Sequence, residues 1–489
     1  MWLIGGGHVV PRTVGMLAFA VAAASAPNVS AQAQLAPQWN YCKGDPGIDW
    51  NTQIANCTAL IESGRESRKN RSIAYINRGL VYYNLKNYER SIQDYDEALY
   101  EDPNSAIAFN NRALVFRRLN RQDEALADVN QALRLDPRYA SAFILRGNIF
   151  VTRKDFDRAI VDYNSALRIA PDYLAYYNRG LAHYEKKSLD QAIADYDAAL
   201  RLNPRYALAL SNRGLAYYDK NNHDKALADY NEAIRLDPEA AITYSNRGLI
   251  FAVRNDYDRA IADYNDALRL DPNYAIAAYN RGLAYHNKND FDRALADYND
   301  AIRLDPKFAE SYRQRGTVYH NRQDYDRAIA DYDEAIRLDP SDARTFDNRA
   351  AILEFRKEYG RAIADYDAAI RLAPKNAGYW NSRCWARAIS ATDLPAALTD
   401  CDRSLQIDSN NVDTLDSRGF VYFRLNRFDE AIRDFDAAIK IDPKHAESLY
   451  VRGLAKLKKG DKSGGEIDIA AAKEIRKNVV EIYEGYGVK

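Results

Sequence analysis

The chain has 489 residues, of which 47% are hydrophobic and 28% are charged. Its 68 lysines and arginines are balanced by 69 aspartates and glutamates, so the formal net charge at pH 7 is −1. Such a balance creates no net field that would favour nucleic acid or an anionic membrane surface, and we expect the partner to be recognised through local contacts. The length alone would indicate about three domains, but that estimate assumes compact cores.

Residues 1–33 differ in composition from the rest of the chain. Arg12 is the only lysine or arginine among them, and it precedes the small, apolar run 13–26. Together with a small-residue cleavage site at 29–31, this pattern predicts a secretory signal peptide and therefore a periplasmic or secreted protein. A membrane anchor is the alternative, but an apolar core of roughly 13 residues is shorter than the ~20 needed to span a bilayer. No later stretch is apolar enough to span one, so we expect no membrane span in the mature chain.

Residues 34–71 form an N-terminal segment before the repeats begin. Within it, residues 51–64 resemble a single second helix of the repeat described below, and so a half-repeat. Export would allow disulfides to persist, and four cysteines permit three pairings. We favour Cys42 with Cys57 and Cys384 with Cys401. Zinc is the weaker interpretation, because no close Cys-x-x-Cys pair or partnering histidine accompanies the cysteines.

From residue 72 to 479 one unit recurs. Its most regular member is an arginine that returns every 33 to 35 residues, often inside an Asn-Arg-Gly triplet. The arginines are Arg78, Arg112, Arg146, Arg179, Arg213, Arg247, Arg281, Arg315, Arg349, Arg383, Arg418 and Arg452. An aspartate follows each arginine after 16 or 17 residues, and a proline follows ten of them after 25. A period this regular predicts a stack of similar units rather than one globular core.

The unit Ala207–Ala240 predicts two helices separated by a turn. Apolar and small residues return with a helical period in both halves of the unit. The polar residues 220–223 separate the two runs, and Pro238 closes the second because proline cannot continue a helix. Small residues such as Gly214 would let the two helices approach closely, with Tyr230 among the residues that fill the space between them.

At these positions the chain resembles the tetratricopeptide repeat family, over about 408 of its 489 residues. The matching features are the small residue after the arginine, an aromatic residue three positions later, a tyrosine in the second helix and the closing proline. The resemblance implies an all-α, right-handed superhelical solenoid of about twelve helix-turn-helix repeats, whose first helices line a concave groove for peptides or proteins. Together with the predicted signal peptide, it implies an exported, bacterial-type member of the family.

The chain departs from the family pattern at several places. The family usually has leucine before the small residue, where this chain has arginine in every unit. In residues 375–411, Cys384 replaces the small residue and Cys401 replaces the second-helix tyrosine, positions that should face each other across the hairpin. The last unit carries glycines at 464 and 465 where helix formers are expected, and we expect it to cap the stack. Residues 480–489 remain as a C-terminal tail.

The arginine and the aspartate that follows it occur together in every unit. A lone buried arginine would be destabilising, whereas a forked contact with a carboxylate and backbone carbonyls would satisfy it. We therefore predict structural ion pairs that set the register of the repeats, including Arg78 with Asp94, Arg213 with Asp229, Arg247 with Asp263, and Arg281 with Asp297. A row of anion-binding arginines is the weaker alternative, because the aspartate neutralises each charge.

An amide side chain precedes the arginine in most units. These residues, which we call the asparagine row, are Asn77, Asn111, Asn178, Asn212, Asn246, Asn280, Gln314 and Asn348. Asparagine is a mediocre helix former, so its recurrence inside a helix calls for a reason. One hypothesis is binding to the backbone of an extended peptide, since a side-chain amide offers both a donor and an acceptor. The alternatives are hydrogen bonds between neighbouring helices, or inheritance by duplication without a role.

We expect no enzyme, no cofactor and no metal site, because the repeats leave no room for a catalytic domain and the six histidines are scattered. Neither a metalloprotease motif nor a nucleophile elbow nor a glycine-rich phosphate loop is present. The favoured hypothesis is an exported scaffold that binds an extended peptide or protein segment in its groove. The alternative is a component of cell-envelope assembly, for example polysaccharide export, in which the array bridges other proteins.

Overall fold

The computed structural model describes residues 37–44 and 47–488, and every regular element in these residues is a helix. The all-α prediction is therefore confirmed. The predicted signal peptide, residues 1–33, lies outside the described residues.

Twenty-seven helices are present in the described part of the chain, and their bounds follow in chain order. They are α1 (Pro37–Lys43), α2 (Trp50–Glu62), α3 (Arg68–Asn84), α4 (Tyr88–Glu101), α5 (Ala106–Arg118), α6 (Gln122–Leu135), α7 (Ala140–Thr152), α8 (Phe156–Ile169), α9 (Tyr173–Glu185), α10 (Leu189–Leu202), α11 (Ala207–Asp219), α12 (His223–Leu236), α13 (Ala241–Val253), α14 (Tyr257–Leu270), α15 (Ala275–Asn287), α16 (Phe291–Leu304), α17 (Ala309–Asn321), α18 (Tyr325–Leu338), α19 (Ala343–Phe355), α20 (Tyr359–Leu372), α21 (Ala377–Ser390), α22 (Leu394–Ile407), α23 (Val412–Arg424), α24 (Phe428–Ile441), α25 (Ala446–Lys458), α26 (Lys462–Ile475) and α27 (Val479–Gly485). Helices α3 to α26 form twelve hairpins, which we number repeats 1 to 12, in agreement with the expected count.

The helices pack into two compact blocks that divide between Leu270 and Asp271. The N-terminal block contains α1 to α14, and the C-terminal block contains α15 to α27. In both blocks the two helices of each repeat pack against each other, and first helices of neighbouring repeats also meet. Examples are α7 with α9 and α9 with α11 in the first block, and α21 with α23 and α23 with α25 in the second. The first helices therefore share a surface in each block, which we call the first-helix face.

Close approach within a hairpin depends on a missing side chain. A Cβ atom placed on Gly214 of α11 would lie only 2.8 Å from Cε1 of Tyr230 of α12, whose ring is buried. The same glycine and second-helix ring meet in most repeats: Gly79 with Tyr95, Gly147 with Tyr163, Gly180 with Tyr196, Gly248 with Tyr264, Gly282 with Tyr298, Gly316 with Tyr332 and Gly419 with Phe435. Repeat 2 has alanine here and a smaller partner, Val129. The small residue thus sets the distance between the two helices.

The turn inside each hairpin reverses the chain through one residue with a left-handed backbone, except in repeat 10, where Ala391 and Asp393 both have one. In repeat 5 this residue is Asn221, with φ of 60°. The next residue, Asn222, caps α12 by accepting a hydrogen bond of 3.3 Å from the backbone nitrogen of Lys225. Asparagine tolerates the left-handed region better than most residues, and it is also a good N-cap. The polar break in the sequence therefore forms a tight turn with its own capping group.

The N-terminal segment is a hairpin of α1 and α2. The predicted half-repeat helix corresponds to α2, whereas α1 was not foreseen from the sequence. Trp39 of α1 is fully buried, and its indole donates a 3.0 Å hydrogen bond to Glu66. A hydrophobic cluster joins Trp39 to Leu60 of α2 and Ile73 of α3, so this hairpin covers the exposed side of repeat 1.

The C-terminal tail also contains a helix that the sequence analysis did not anticipate. Helix α27 spans Val479–Gly485, and its residues Val479 and Tyr483 are fully buried. They belong to the same hydrophobic cluster as Phe420 of α23 and Tyr450 of α25. The tail is thus part of the core of the C-terminal block.

Candidate interaction surface

Each repeat contains a forked ion pair between its two helices. In repeat 5, Nε and Nη2 of Arg213 donate to the two carboxylate oxygens of Asp229 at 2.8 and 2.6 Å. The same two-pronged contact, with distances from 2.5 to 3.0 Å, is made by all twelve arginines of the period. The aspartates are buried, and the guanidinium groups lie near the surface. The pair satisfies a charge that would otherwise be buried alone.

The third nitrogen of the guanidinium reaches the preceding repeat. Nη1 of Arg112 donates to Asp96 at 2.6 Å, and Nη1 of Arg247 donates to Asn231 at 2.8 Å. The acceptors seen in this role are Asp96, Asn130, Asn164, Asp197, Asn231, Asn299, Asp333, Asp367, Asp402 and Asp436. The sequence analysis predicted backbone carbonyls here and was wrong, because the acceptor is a side chain. In the sequence this acceptor is the aspartate or asparagine that stands two residues after the ion-paired aspartate of the preceding repeat.

These contacts leave the arginines poorly placed to bind an external anion. The hydrogen bonds that Arg213 donates to Asp229 raise the pKa of Arg213, against an opposing effect of burial. The guanidinium is thus held charged, and all three of its nitrogen atoms face side chains of the chain itself. An anionic ligand would have to displace a carboxylate that already makes two hydrogen bonds.

Polar side chains link consecutive first helices along the first-helix face. Asn178 of α9 donates to Asn148 of α7 at 3.1 Å, and Asn148 also accepts a 2.6 Å hydrogen bond from the hydroxyl of Tyr163. Asn212 of α11 donates to the hydroxyl of Tyr177 of α9 at 2.8 Å. Two members of the asparagine row therefore bond to neighbouring helices, which is the second of the three hypotheses. Asn148 was not singled out from the sequence, because repeat 3 has leucine at the row position.

The remaining members of the asparagine row have different surroundings. Asn111 is buried, and its oxygen accepts a weak 3.4 Å hydrogen bond from the adjacent Asn110. Asn77 lies 4.0 Å from the sulfur of Cys42. Within the described residues the side chains of Asn246, Asn280 and Asn348 make no hydrogen bond to another side chain. Asn246 is buried. Asn280, Gln314 and Asn348 are half-buried. Gln314 has a side-chain hydrogen bond with Tyr279, whereas Asn246, Asn280 and Asn348 have hydrogen-bonding capacity that a ligand could use.

Both cysteine pairs are disulfides. Cys42 of α1 bonds to Cys57 of α2, and Cys384 of α21 bonds to Cys401 of α22. All four cysteines are fully buried. The second bond replaces the glycine and tyrosine contact of the other repeats with a covalent link at the same place in the hairpin.

The described residues show neither a metal-binding cluster nor a membrane-spanning helix. They contain no cluster of three or more histidine, cysteine, aspartate or glutamate side chains arranged to hold a metal ion. Nor is any helix in this part of the chain both long and apolar enough to cross a lipid bilayer.

Family models match most of the repeat region. Models described as "TPR repeat" match residues 180–221 and 214–253. Models described as "Tetratricopeptide repeat" match residues 72–105, 110–173, 245–307, 279–343 and 385–456. No curated protein matches the chain.

Several solved structures are similar to the chain. Yeast Tom70 is 19% identical and aligns over 84% of this chain and 99% of its own, with a TM-score of 0.38. YrrB, described as a TPR protein with an unusual peptide-binding site, is 24% identical over 40% of this chain and 97% of its own, with a TM-score of 0.34. A tetratricopeptide repeat protein from Parabacteroides merdae is 23% identical over 48% of this chain and 93% of its own, with a TM-score of 0.41.

Proposed function

Because the chain belongs to the tetratricopeptide repeat family, we propose that it is a non-enzymatic scaffold that binds an extended peptide or protein segment along the first-helix face. The observation that carries the proposal is the presence of amides on the first-helix face of each block, Asn246 in the N-terminal block and Asn280 and Asn348 in the C-terminal block, which make no hydrogen bond to another side chain among the described residues. An amide can donate to a backbone carbonyl and accept from a backbone N–H, so it can hold a peptide of varied sequence.

The proposal assigns different tasks to different members of the row. Asn178 and Asn212 hold neighbouring first helices together through their hydrogen bonds to Asn148 and Tyr177. Asn246, Asn280 and Asn348 are assigned to the ligand. Partners recognised through the backbone bind with modest sequence preference, which suits a scaffold with several clients.

We also propose that the chain works in an oxidising compartment, such as the periplasm or the extracellular space. Support comes from the two disulfides, which involve all four cysteines of the chain. Disulfides persist in such compartments and are rare in reducing ones. Free thiols in protein isolated from its native cell would contradict this placement.

The binding hypothesis can be tested with peptides selected against the folded chain from a random library. Calorimetry would compare the wild type with the Asn246→Ala, Asn280→Ala and Asn348→Ala variants, and with Asn104→Ala, an exposed turn asparagine, as the matched control. Each row substitution should weaken binding by about 0.5–1.5 kcal/mol, the net value of a neutral hydrogen bond, with the helical circular dichroism unchanged. Methylation of backbone nitrogens in the peptide should weaken binding as well. Unchanged affinity in the triple variant would reject the role of the row.

A further inference from the structure

Helix α27 folds back across the first helices of repeats 10 to 12. The ring of Tyr483 lies 5.4 Å from that of Phe420 in α23 and 5.4 Å from that of Tyr450 in α25. One turn later, the ring of Tyr486 lies 5.6 Å from that of Trp385 in α21. The tail therefore covers the first-helix face of three consecutive repeats.

The backbone of the tail is fixed by a charged side chain from the same face. Nη2 of Arg424, at the end of α23, donates to the carbonyl of Tyr486 at 2.5 Å and to the carbonyl of Ile389 in α21 at 3.2 Å. Val488 beyond α27 is also buried in the cluster. The contact thus combines aromatic packing with one hydrogen bond to the backbone of the tail.

The sequence of the first-helix face changes where α27 lies. At the position two residues after the arginine, repeats 1 to 9 carry no aromatic residue. The residues there are Leu80, Leu114, Asn148, Leu181, Leu215, Leu249, Leu283, Thr317 and Ala351. In repeats 10 and 11 the same position is Trp385 and Phe420, whereas repeat 12 has Leu454. The asparagine row also ends at Asn348, and Ser382, Ser417 and Val451 follow in its place. In repeats 10 and 11 the covered face is therefore aromatic at this position, and across repeats 10 to 12 it lacks the amides of the asparagine row.

We propose that the first-helix face of repeats 10 to 12 is a second binding site, specific for a short amphipathic helix with two tyrosines three residues apart, and that α27 is its resident ligand. The partner is a helix of this chemistry in another protein, which takes the place of α27. The site does not depend on the asparagine row, so it stands or falls separately from the proposed function.

The attachment of α27 is compatible with exchange. The helix has seven residues and follows α26 after a connection of three, Arg476–Asn478. A helix this short is unstable alone in water and is ordered by docking. The proposal requires α27 to open locally while the repeats stay folded, which terminal elements can do more easily than the rest of a fold. Because α27 is tethered, it competes at an effective concentration on the order of millimolar, and an external helix binds more weakly than it would to a vacant site.

The test is exchange in the full chain. A specific protease site is inserted between Lys477 and Asn478, and a fluorescent peptide with the sequence of residues 478–489 is added before and after cutting. The cut protein should bind the peptide at least about tenfold more tightly than the uncut protein, because cutting removes the tethered competitor. A Tyr483→Ala peptide should bind at least about tenfold more weakly than the wild-type peptide, since it lacks the buried ring.

Equal binding to cut and uncut protein would place the peptide elsewhere and overturn the proposal. The same conclusion follows if the cut protein keeps its circular dichroism and exchanges no peptide. If cutting unfolds the last repeats, the uncut Tyr486→Ala variant is used in place of the cut protein. The Tyr486 ring is only partly buried, so its loss loosens α27 without removing Tyr483. That variant should bind the wild-type peptide more tightly than the unmodified chain does, and failure to do so also overturns the proposal. Loss of partner binding in the asparagine variants leaves this result unaffected, so the two hypotheses are distinguishable.

Discussion

Nη1 of Arg213 lies 2.5 Å from Oδ1 of Asp197, which belongs to the preceding repeat. The same guanidinium holds Asp229 of its own repeat through its other two nitrogen positions, so one side chain joins two neighbouring repeats. The side chain of Asp229 is 9% exposed, whereas that of Asp197 is 38% exposed. The two carboxylates therefore differ in their expected contribution to stability.

Replacing each of these aspartates by alanine should separate the two contributions. Asp229→Ala leaves a guanidinium next to a buried, apolar gap and should lower the free energy of unfolding by about 3 kcal/mol. Asp197→Ala removes a partly solvated contact and should cost no more than about 1 kcal/mol. Urea unfolding monitored by circular dichroism measures both. Similar costs for the two variants would contradict the assignment of the inner pair as the stronger one.

A methyl group on Gly214 should disturb the hairpin of repeat 5. The added Cβ would lie 2.8 Å from the Tyr230 ring, so the ring or the helix must shift. We expect Gly214→Ala to lower the free energy of unfolding by about 1–3 kcal/mol, the usual cost of overpacking. The matched control is Gly360→Ala in α20, where no atom lies within 4 Å of the added group. This control should be neutral or stabilising by up to about 1 kcal/mol, because alanine is the better helix former.

Loss of the Cys384–Cys401 disulfide should destabilise the C-terminal block. The bond closes a loop with a sequence separation of 17. In the chain-entropy model, such a loop contributes about 3 kcal/mol. The double variant Cys384→Ala/Cys401→Ala should therefore unfold at lower urea concentration than the wild type. The matched variant Cys42→Ala/Cys57→Ala keeps the Cys384–Cys401 bond, so a reductant should still lower the urea concentration at which it unfolds. If a reductant leaves its unfolding unchanged, the Cys384–Cys401 bond does not contribute to stability as expected.

Stability should fall as the pH rises through neutrality because of Glu354 in α19. Burial raises the pKa of Glu354 from 4.5 to about 7, and the Tyr366 hydroxyl lies 3.2 Å from its carboxyl group. A carboxyl group with a raised pKa favours folding in its protonated form. Its contribution is complete below the ordinary pKa and is lost as the pH rises through about 7. Glu354→Gln should weaken this dependence and raise the free energy of unfolding at pH 8 by at most about 3 kcal/mol. If the free energy of unfolding of Glu354→Gln depended more steeply on pH than that of the wild type, Glu354 would not be the group responsible.

The sequence was most informative where contacts lie within one repeat. The glycine after each arginine and the second-helix tyrosine recur at a fixed separation, so the hairpin and the all-α stack could be predicted from spacing and residue size. The acceptors of the third arginine nitrogen were missed, because they belong to the preceding repeat. Their identity depends on how far neighbouring hairpins rotate against each other, which spacing alone does not give.

Two other features depend on tertiary packing in the same way. Asn178 bonds to Asn148, which stands at a different helical position in the neighbouring repeat, so the asparagine row did not indicate this partner. Helix α27 lies outside the period and has only seven residues, and its position comes from the aromatic residues on α21, α23 and α25. Pattern analysis describes the repeating part of such a chain better than its ends.

The first arginine shows how the array begins. Arg78 has no earlier repeat, and its Nη1 donates to Thr58 of α2 at 2.8 Å instead. The ten later acceptors named above likewise lie on the N-terminal side of their arginines, so a ribosome synthesises each of these receiving side chains before the donor emerges. Each newly made hairpin can then dock onto a finished neighbour, and the array is suited to grow in one direction during translation.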